Sequence, residues 1–334
     1  MKKIAIIGGG SWGTALAIVL TRSRQPHRIS VWVHDPAVCE SLRARRVNGV
    51  YLPGFELPAE ADVTADLGEA LREADIVVGV MPSAHARGLY TRMLPQLDPR
   101  MIFVSATKGL ENKTLERMTE VISQVVSLKF TPRVAALSGP SFAKEVARGD
   151  PTAVVIASAD REVAAGVQEE FSGLTFRLYT NDDVTGVELG GAVKNVVAIA
   201  AGACAGLGFG SNTVAALITR GLAEMTRLAC ALGGRRDTLA GLAGMGDLVL
   251  TCTGALSRNR TVGVELGKGR SLSEILGSMR MVAEGVGTTA AAIELARKMR
   301  VEMPITEQMH AVLYQGRAPR DAIRELMERR LKQE

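Results

Sequence analysis

Cysteine and histidine are both scarce, with four of each in 334 residues. Cys39, Cys204, Cys230 and Cys252 stand far apart and form no C-x-x-C pair. No disulfide framework is therefore expected, and the thiols read as reduced and mostly buried, as in a cytoplasmic protein. The histidines are scattered as well, so no metal centre is expected. No uninterrupted apolar run reaches the roughly 18 residues that would suggest a membrane span. The most apolar later stretch, 193–209, carries Lys194 and several glycines and reads as a buried helix. The chain enters its first strand within three residues, which leaves no room for a signal peptide. Charge of one sign is nowhere concentrated. The net +5 is spread through interspersed basic and acidic residues, with no stripe for nucleic acid. A mildly basic balance suits an enzyme that handles phosphorylated substrates. No internal repeat or low-complexity tract is evident.

What is present is apolar: 47% of the chain, ample for a sizeable core, at a length that suggests two domains. Short β runs at 2–7, 29–33, 76–81, 102–106, 134–137, 153–157 and 176–179 alternate with helical stretches. This alternation predicts a mostly parallel, doubly wound sheet. After Thr180 the β runs stop, and helices are expected at about 184–206, 213–232, 258–266, 288–300, 305–315 and 319–332. The polar "TNDD" marks the boundary. The expected organisation is a dinucleotide-binding domain over 1–182 and an all-helical domain over 183–334.

The first strand runs into "IAIIGGGSWGTALAIVL", with Gly8-x-Gly10-x-x-Gly13 between an apolar strand and an Ala/Leu-rich helix. Gly8 suits a tight turn, Gly10 a close approach of backbone to pyrophosphate, and Gly13 close packing of helix on strand. Free N–H groups at the helix start would face phosphates. In strand–turn–helix context this points to a Rossmann-like nucleotide-binding fold, the alternative being a plain structural turn. An NAD-type fold usually places an acidic residue about 20 residues on, at the ribose 2′-OH. Here "VWVHDP" puts His34 at that position and Asp35 beside it, with Arg43, Arg45 and Arg46 following. The reading leans to NADP(H), with dual use of NAD(H) open and a solvated His34 as the plain alternative.

Later strand ends carry polar groups. "SATKGLE" delivers Lys108 beside a glycine, and "LSGPSFAKEV" places Gly139 and Ser141 before a helix, with Ser141 a plausible N-cap. In the helical half, "GVELGGAVKNVVAIAAG" sets Lys194 and Asn195 in an apolar, small-residue helix. A buried lysine needs a partner, and burial would depress its pKa from about 10.4. Lys194 is therefore a candidate acid/base. "GLAGMGDLVLTCT" offers Asp247 as that partner, or as a cap for the helix that follows. "SRNRTVGVELGKG" reads as a helix start, with Ser257 as N-cap, Arg258 and Asn259 in the first turn and Gly267 at the end. Guanidinium, amide and aligned N–H groups at one point make a phosphate site. "MVAEGVGTTAAAIELA" puts Glu284 in a glycine-bearing loop before a helix.

Assembled in order, the segments "GGGSWGTALA", "ATKGLE", "SGPSFAKEV", "GVELGGAVKNV", "GLGFG", "ALITRGLAEM", "GDLVLTCT", "SRNR", "VAEGV" and "MPITE" closely resemble the bacterial NAD(P)-dependent sn-glycerol-3-phosphate dehydrogenases. They cover essentially the whole chain. The resemblance implies reversible reduction of dihydroxyacetone phosphate to sn-glycerol 3-phosphate for phospholipid synthesis, by a cytoplasmic homodimer. By motif, it makes Ser11, Trp12, His34, Ala143, Val282 and Glu284 cofactor contacts. It has Lys108 and Arg258 touch both cofactor and substrate. Gly139, Ser141, Asp247, Ser257 and Asn259 fall to the substrate, and Lys194 becomes the proton acceptor. Two positions depart from the family's pattern: Ser211, where an acidic residue is common, and Gly287, where a basic one is. The rivals are a dehydrogenase of the 3-hydroxyacid or 6-phosphogluconate type and a non-catalytic NADP(H) sensor. The sensor would need no Lys194/Asp247/Arg258 constellation.

Overall fold

The computed structural model describes residues 1–279 and 281–331. They form two compact units, one of Met1–Glu111 with Glu116–Glu188, the other of Asn112–Leu115 with the chain from Leu189 onward. The division falls six residues beyond the expected boundary at 182, because Glu188 is tied back into the first unit. Its carboxylate accepts from the Thr119 backbone N–H at 2.9 Å and pairs with Arg117 at 2.8 Å.

The first unit is built on eight strands: β1 (Lys2–Ile7), β2 (His27–Trp32), β3 (Ala61–Thr64), β4 (Ile76–Gly79), β5 (Ile102–Ser105), β6 (Arg133–Ser138), β7 (Thr152–Ala157) and β8 (Phe176–Asn181). Their order is β3-β2-β1-β4-β5-β6-β7-β8, and every pairing is parallel except β6 with β7. The strand order reverses between β1 and β4, the point at which such sheets take their ligands. The helices are α1 (Ser11–Leu20), α2 (Pro36–Arg45), α3 (Leu67–Leu71), α4 (Ala86–Met93), α5 (Met118–Val126), α6 (Ala143–Arg148) and α7 (Arg161–Phe171). They cover both faces of the sheet. One core gathers Ile4, Ile6, Leu16, Ile29 and Phe171; the other gathers Ile7, Tyr90, Phe103 and Ile122. Alternate residues of β1 thus enter opposite cores, as a strand buried on both faces requires. Edge strand β3 was not anticipated. It is four residues long with Asp62 exposed, too short and too polar to register as an apolar run.

The second unit is helical: α8 (Val184–Gly206, which begins in the first unit), α9 (Ser211–Ala231), α10 (Arg236–Ala240), α11 (Asp247–Thr253), α12 (Arg258–Gly267), α13 (Leu272–Ser278), α14 (Glu284–Met299), α15 (Pro304–Tyr314) and α16 (Pro319–Met327). By length and composition α8 could cross a membrane, but its most apolar window is 89% buried in the fold. It is the core helix that the embedded lysine and glycines suggested. Three of the cysteines are buried, Cys230 is exposed, and all four are free.

α8 and α12 pack backbone to backbone. A Cβ at Gly202, Gly206, Gly263 or Gly267 would lie 1.9 to 2.5 Å from a carbonyl oxygen of the facing helix. Gly267 is therefore a packing residue and not a left-handed terminator; Lys268 follows it in right-handed conformation, and Gly269 makes the turn at φ +90°. α14 starts four residues earlier than the sequence suggests, so Glu284 opens a helix instead of sitting in a loop. On α9, the buried Glu224 accepts from Ile305 N at 2.6 Å and Thr306 N at 3.2 Å, capping α15 from outside.

Candidate active site

In the first unit the glycine turn sits at the carboxyl end of β1. Gly8 has φ +134°, and a Cβ there would lie 2.1 Å from the Val80 carbonyl oxygen, so only glycine fits. A Cβ at Gly13 would meet the Gly8 carbonyl at 1.8 Å, which is the close helix–strand approach expected of the third glycine. Gly10 is the N-cap of α1 and offers no side chain; no acidic residue occupies the first turn. Ser11 and Trp12 open this helix, and Trp12 Nε1 is buried without a hydrogen-bond partner. An uncapped helix start, a cradle with no room for side chains and an orphaned indole donor fit a pyrophosphate-bearing cofactor. Asn48, which the sequence motifs do not single out, is buried beneath the glycines and donates to Gly9 O at 2.8 Å and Thr14 Oγ1 at 2.9 Å.

His34 lies just beyond β2, exposed, with its ring 5.7 Å from that of Trp32. Asp35 is the N-cap of α2, its carboxylate accepting from Ala37 N at 2.8 Å. Arg43 Nε donates to Val63 O and Arg46 Nη2 to Ala61 O, so two of the three arginines bind the backbone at β3.

At the ends of β5 and β6, Lys108 Nζ donates to Gly139 O at 2.7 Å and reaches Ser141 Oγ at 3.4 Å. Gly139 stands at φ +139°, with Val154 Cα 2.9 Å from where its Cβ would be. Ser141 is not an N-cap. α6 begins at Ala143 with Phe142 as its cap residue, and Ser141 Oγ donates to Gly139 O at 2.9 Å, folding back on its own turn. Ala143 opens α6, the helix packed along α1.

In the second unit Lys194 projects from the middle of α8 and is buried, its side chain 6% exposed and that of Asp247 1%. Nζ donates to Asp247 Oδ1 at 2.6 Å and to Thr251 Oγ1 at 2.7 Å. Thr251 Oγ1 in turn donates to Asp247 O at 2.6 Å, one turn back on α11. Asp247 is the first residue of α11, whose N-cap position is Gly246; a π-helical turn, Leu242–Gly246, precedes it. Gly190 lets that turn approach, since a Cβ there would lie 2.6 Å from Ala243 O. Thr251 escaped sequence reasoning because a helical threonine commonly bonds only the carbonyl four residues back. Cys252 is buried as well, and burial pushes its thiol up to about 12, so it stays protonated.

A second set of hydrogen bonds starts one residue along α8, at Asn195. Asn259 Nδ2 donates to Asn195 Oδ1 at 2.9 Å, and Asn259 Oδ1 accepts from Gly285 N at 2.9 Å. The buried amide of Asn259 thus joins α8, α12 and the start of α14. Ser257 caps α12, accepting from Arg260 N at 3.2 Å. Arg258 Nη1 donates to Val282 O at 2.8 Å, and the Glu284 carboxylate acts on the same guanidinium. Arg258 reaches solvent, yet enough protein surrounds it to pull its pKa below the ordinary value, with Glu284 opposing. A guanidinium at a helix start without acidic residues has the chemistry to receive an anion. Lys194 with Asp247 and Thr251 forms one cluster, and Asn195 with Asn259 and Gly285 N forms a second; the two start from adjacent residues of α8. Gly287 lies beside Asn112, whose side chain a Cβ would meet at 3.1 Å.

Comparison with known proteins matches residues 3–164 to the NAD-dependent glycerol-3-phosphate dehydrogenase N-terminus and 183–324 to the corresponding C-terminus. A "Glycerol-3-phosphate dehydrogenase [NAD(P)+]" of Koribacter versatilis is 63% identical over 330 residues, 98% of each chain. One from Citrifermentans bemidjiense is 55% identical, covering 100% of this chain and 99% of the other. The crystal structure of glycerol-3-phosphate dehydrogenase from Coxiella burnetii superposes with a TM-score of 0.93 at 42% identity, over 98% of this chain and 99% of that one.

Proposed function

Because this chain belongs to the NAD-dependent glycerol-3-phosphate dehydrogenase family, we propose that it interconverts dihydroxyacetone phosphate and sn-glycerol 3-phosphate, with NADPH or NADH as the partner, to supply glycerophospholipid synthesis. The observation that carries the reading is the buried Lys194–Asp247–Thr251 cluster, in the same helical unit as Arg258 at the head of α12. A sensor that only bound a dinucleotide would have no use for a buried ammonium group. Residues at the glycine turn, Gly8, Gly10, Ser11, Trp12 and Gly13, with His34 and Ala143, would hold the dinucleotide; Lys108, Arg258, Val282 and Glu284 would complete its contacts.

The nicotinamide, when bound, supplies or accepts the hydride. The remaining work falls to side chains. Hydrogen bonds to Asp247 and Thr251 hold the Lys194 ammonium in place. Charged Lys194 polarises the ketone oxygen and delivers a proton to it during reduction; neutral Lys194 takes the proton back during oxidation. Arg258 and the α12 N-terminus, capped by Ser257, hold the phosphate, with Lys108, Gly139 and Ser141 assigned to the same substrate. Binding energy from the phosphate, remote from the reacting carbon, is then available for orientation. The "SRNR" anchor favours a phosphorylated substrate over a plain hydroxyacid. Free thiols suit a reducing compartment, in line with a cytoplasmic enzyme. The same reading expects a homodimer, which light scattering would test.

Initial rates of NADPH oxidation with dihydroxyacetone phosphate, repeated with NADH, test the proposal. Oxidation is expected to require the phosphorylated ketone. Oxidation only with non-phosphorylated oxoacids, or none at all, would overturn it.

A further inference from the structure

Three consecutive glycines, Gly8–Gly10, form the turn, and no sequence is less able to hold its own shape. Something outside the turn must fix it if its N–H groups are to meet an anion without a large ordering cost. The segment between α2 and β3 does this. Its base is closed by Arg46, left-handed at φ 56°, whose Nε donates to Leu57 O and whose Nη2 donates to Ala61 O. Val47 and Glu56 pair across it. From this closed loop Asn48 turns inward, 1% exposed. Its amide gives one hydrogen to Gly9 O at 2.8 Å and the other to Thr14 Oγ1 at 2.9 Å, while Oδ1 accepts from Tyr51 N at 3.0 Å.

The C=O of Gly9 and the N–H of Gly10 belong to one planar trans peptide and point in opposite directions. Pulling the carbonyl toward Asn48 aims the Gly10 N–H away from the loop. The second hydrogen holds the first turn of α1 in the same frame through Thr14. Aspartate has the length but no donors; glutamine has the donors but an extra methylene.

We propose that Asn48 is a positioning residue for the dinucleotide: it presets the glycine turn so that its N–H groups receive the pyrophosphate. This inference rests on the dinucleotide reading above. It is tested by titrating NADH, NADPH and ADP-ribose into wild type, Asn48→Ala and Asn48→Asp by calorimetry, with melting temperatures recorded without ligand. Both variants are expected to bind all three ligands at least tenfold more weakly, about 1.4 kcal/mol. The loss should be similar for ADP-ribose, which carries the pyrophosphate but no nicotinamide. In steady state it should appear in the KM for dinucleotide and not in that for dihydroxyacetone phosphate. A lowered melting temperature with Kd values within twofold of wild type overturns the proposal, as does a loss confined to NADH and NADPH. If the Asn48 variants do not fold, Thr14→Val removes only the second acceptor. A Kd increase of about threefold then supports the proposal, and an unchanged Kd overturns it. Wild-type protein that binds none of the three ligands would instead refute the dinucleotide reading itself.

Discussion

Asp247→Asn separates the structural role of the buried ion pair from its chemical one. The substitution keeps the shape of the side chain and removes the charge that pairs with the Lys194 ammonium at 2.6 Å, itself 6% exposed. Breaking a buried pair by removing one partner costs about 3–5 kcal/mol. At roughly 2–4 °C per kcal/mol for a chain section of this size, the melting temperature should fall by about 6–20 °C. Turnover should fall further than stability alone explains, by about 10²–10⁴-fold, the usual worth of a positioned general acid. The decisive companion is the double variant Lys194→Met/Asp247→Leu. Replacing both charges with apolar groups removes the stranded ammonium, so most of the lost stability should return. Activity should not. Differential scanning calorimetry and initial rates on the two variants and on Lys194→Met complete the comparison. Asp247→Asn melting within 2 °C of wild type, or a double variant that regains turnover, would refute the argument that one buried pair serves both purposes.

Three other outcomes are expected. Arg258→Ala removes charge-assisted hydrogen bonds worth about 1.5–3 kcal/mol, so the KM for dihydroxyacetone phosphate should rise roughly 10- to 150-fold, and an unchanged KM would eliminate the phosphate anchor. His34→Asp places a carboxylate where a 2′-phosphate is expected and should shift the NADPH-to-NADH ratio of kcat/KM about tenfold toward NADH; a constant ratio would remove His34 from the cofactor site. Burial pushes the Glu224 carboxyl up to about 7 from an ordinary 4.5, against its hydrogen bonds from Ile305 and Thr306. The folded state therefore holds this proton longer than the unfolded one. The associated stability is full below about pH 4.5 and declines, by about 3 kcal/mol, as pH rises to about 7. Glu224→Gln should flatten the melting-temperature difference between pH 5 and pH 7.5, and an undiminished difference would count against the raised carboxyl.

The sheet was largely readable because its strands are apolar runs bounded by turns, and α8 because a small-residue helix of that length has few alternatives. Glycine misled at three places for one reason. At 267, 285 and 287 it marks a helix surface pressed against another backbone or side chain, a use indistinguishable in sequence from a turn. Ser141 shows the same limit for hydroxyls: capping and folding back on the preceding turn call for the same residue. The partnership of Lys194 with Asp247 was readable from the cost of a buried lysine. Thr251 and Asn48 were not, because their partners lie 57 and 34 residues away and nothing local demands them.

The four-glycine seam between α8 and α12 has an evolutionary consequence. Side chains can be exchanged to retune a site, but two helices touching at their peptide planes cannot slide without collision. On the proposed function, the interval from Lys194 on α8 to Arg258 at the head of α12 would act as a fixed ruler for the length of the substrate. A descendant that takes a longer phosphorylated ketone must first lose a seam glycine and spread the helices apart; exchanging the polar residues alone would leave the gauge unchanged.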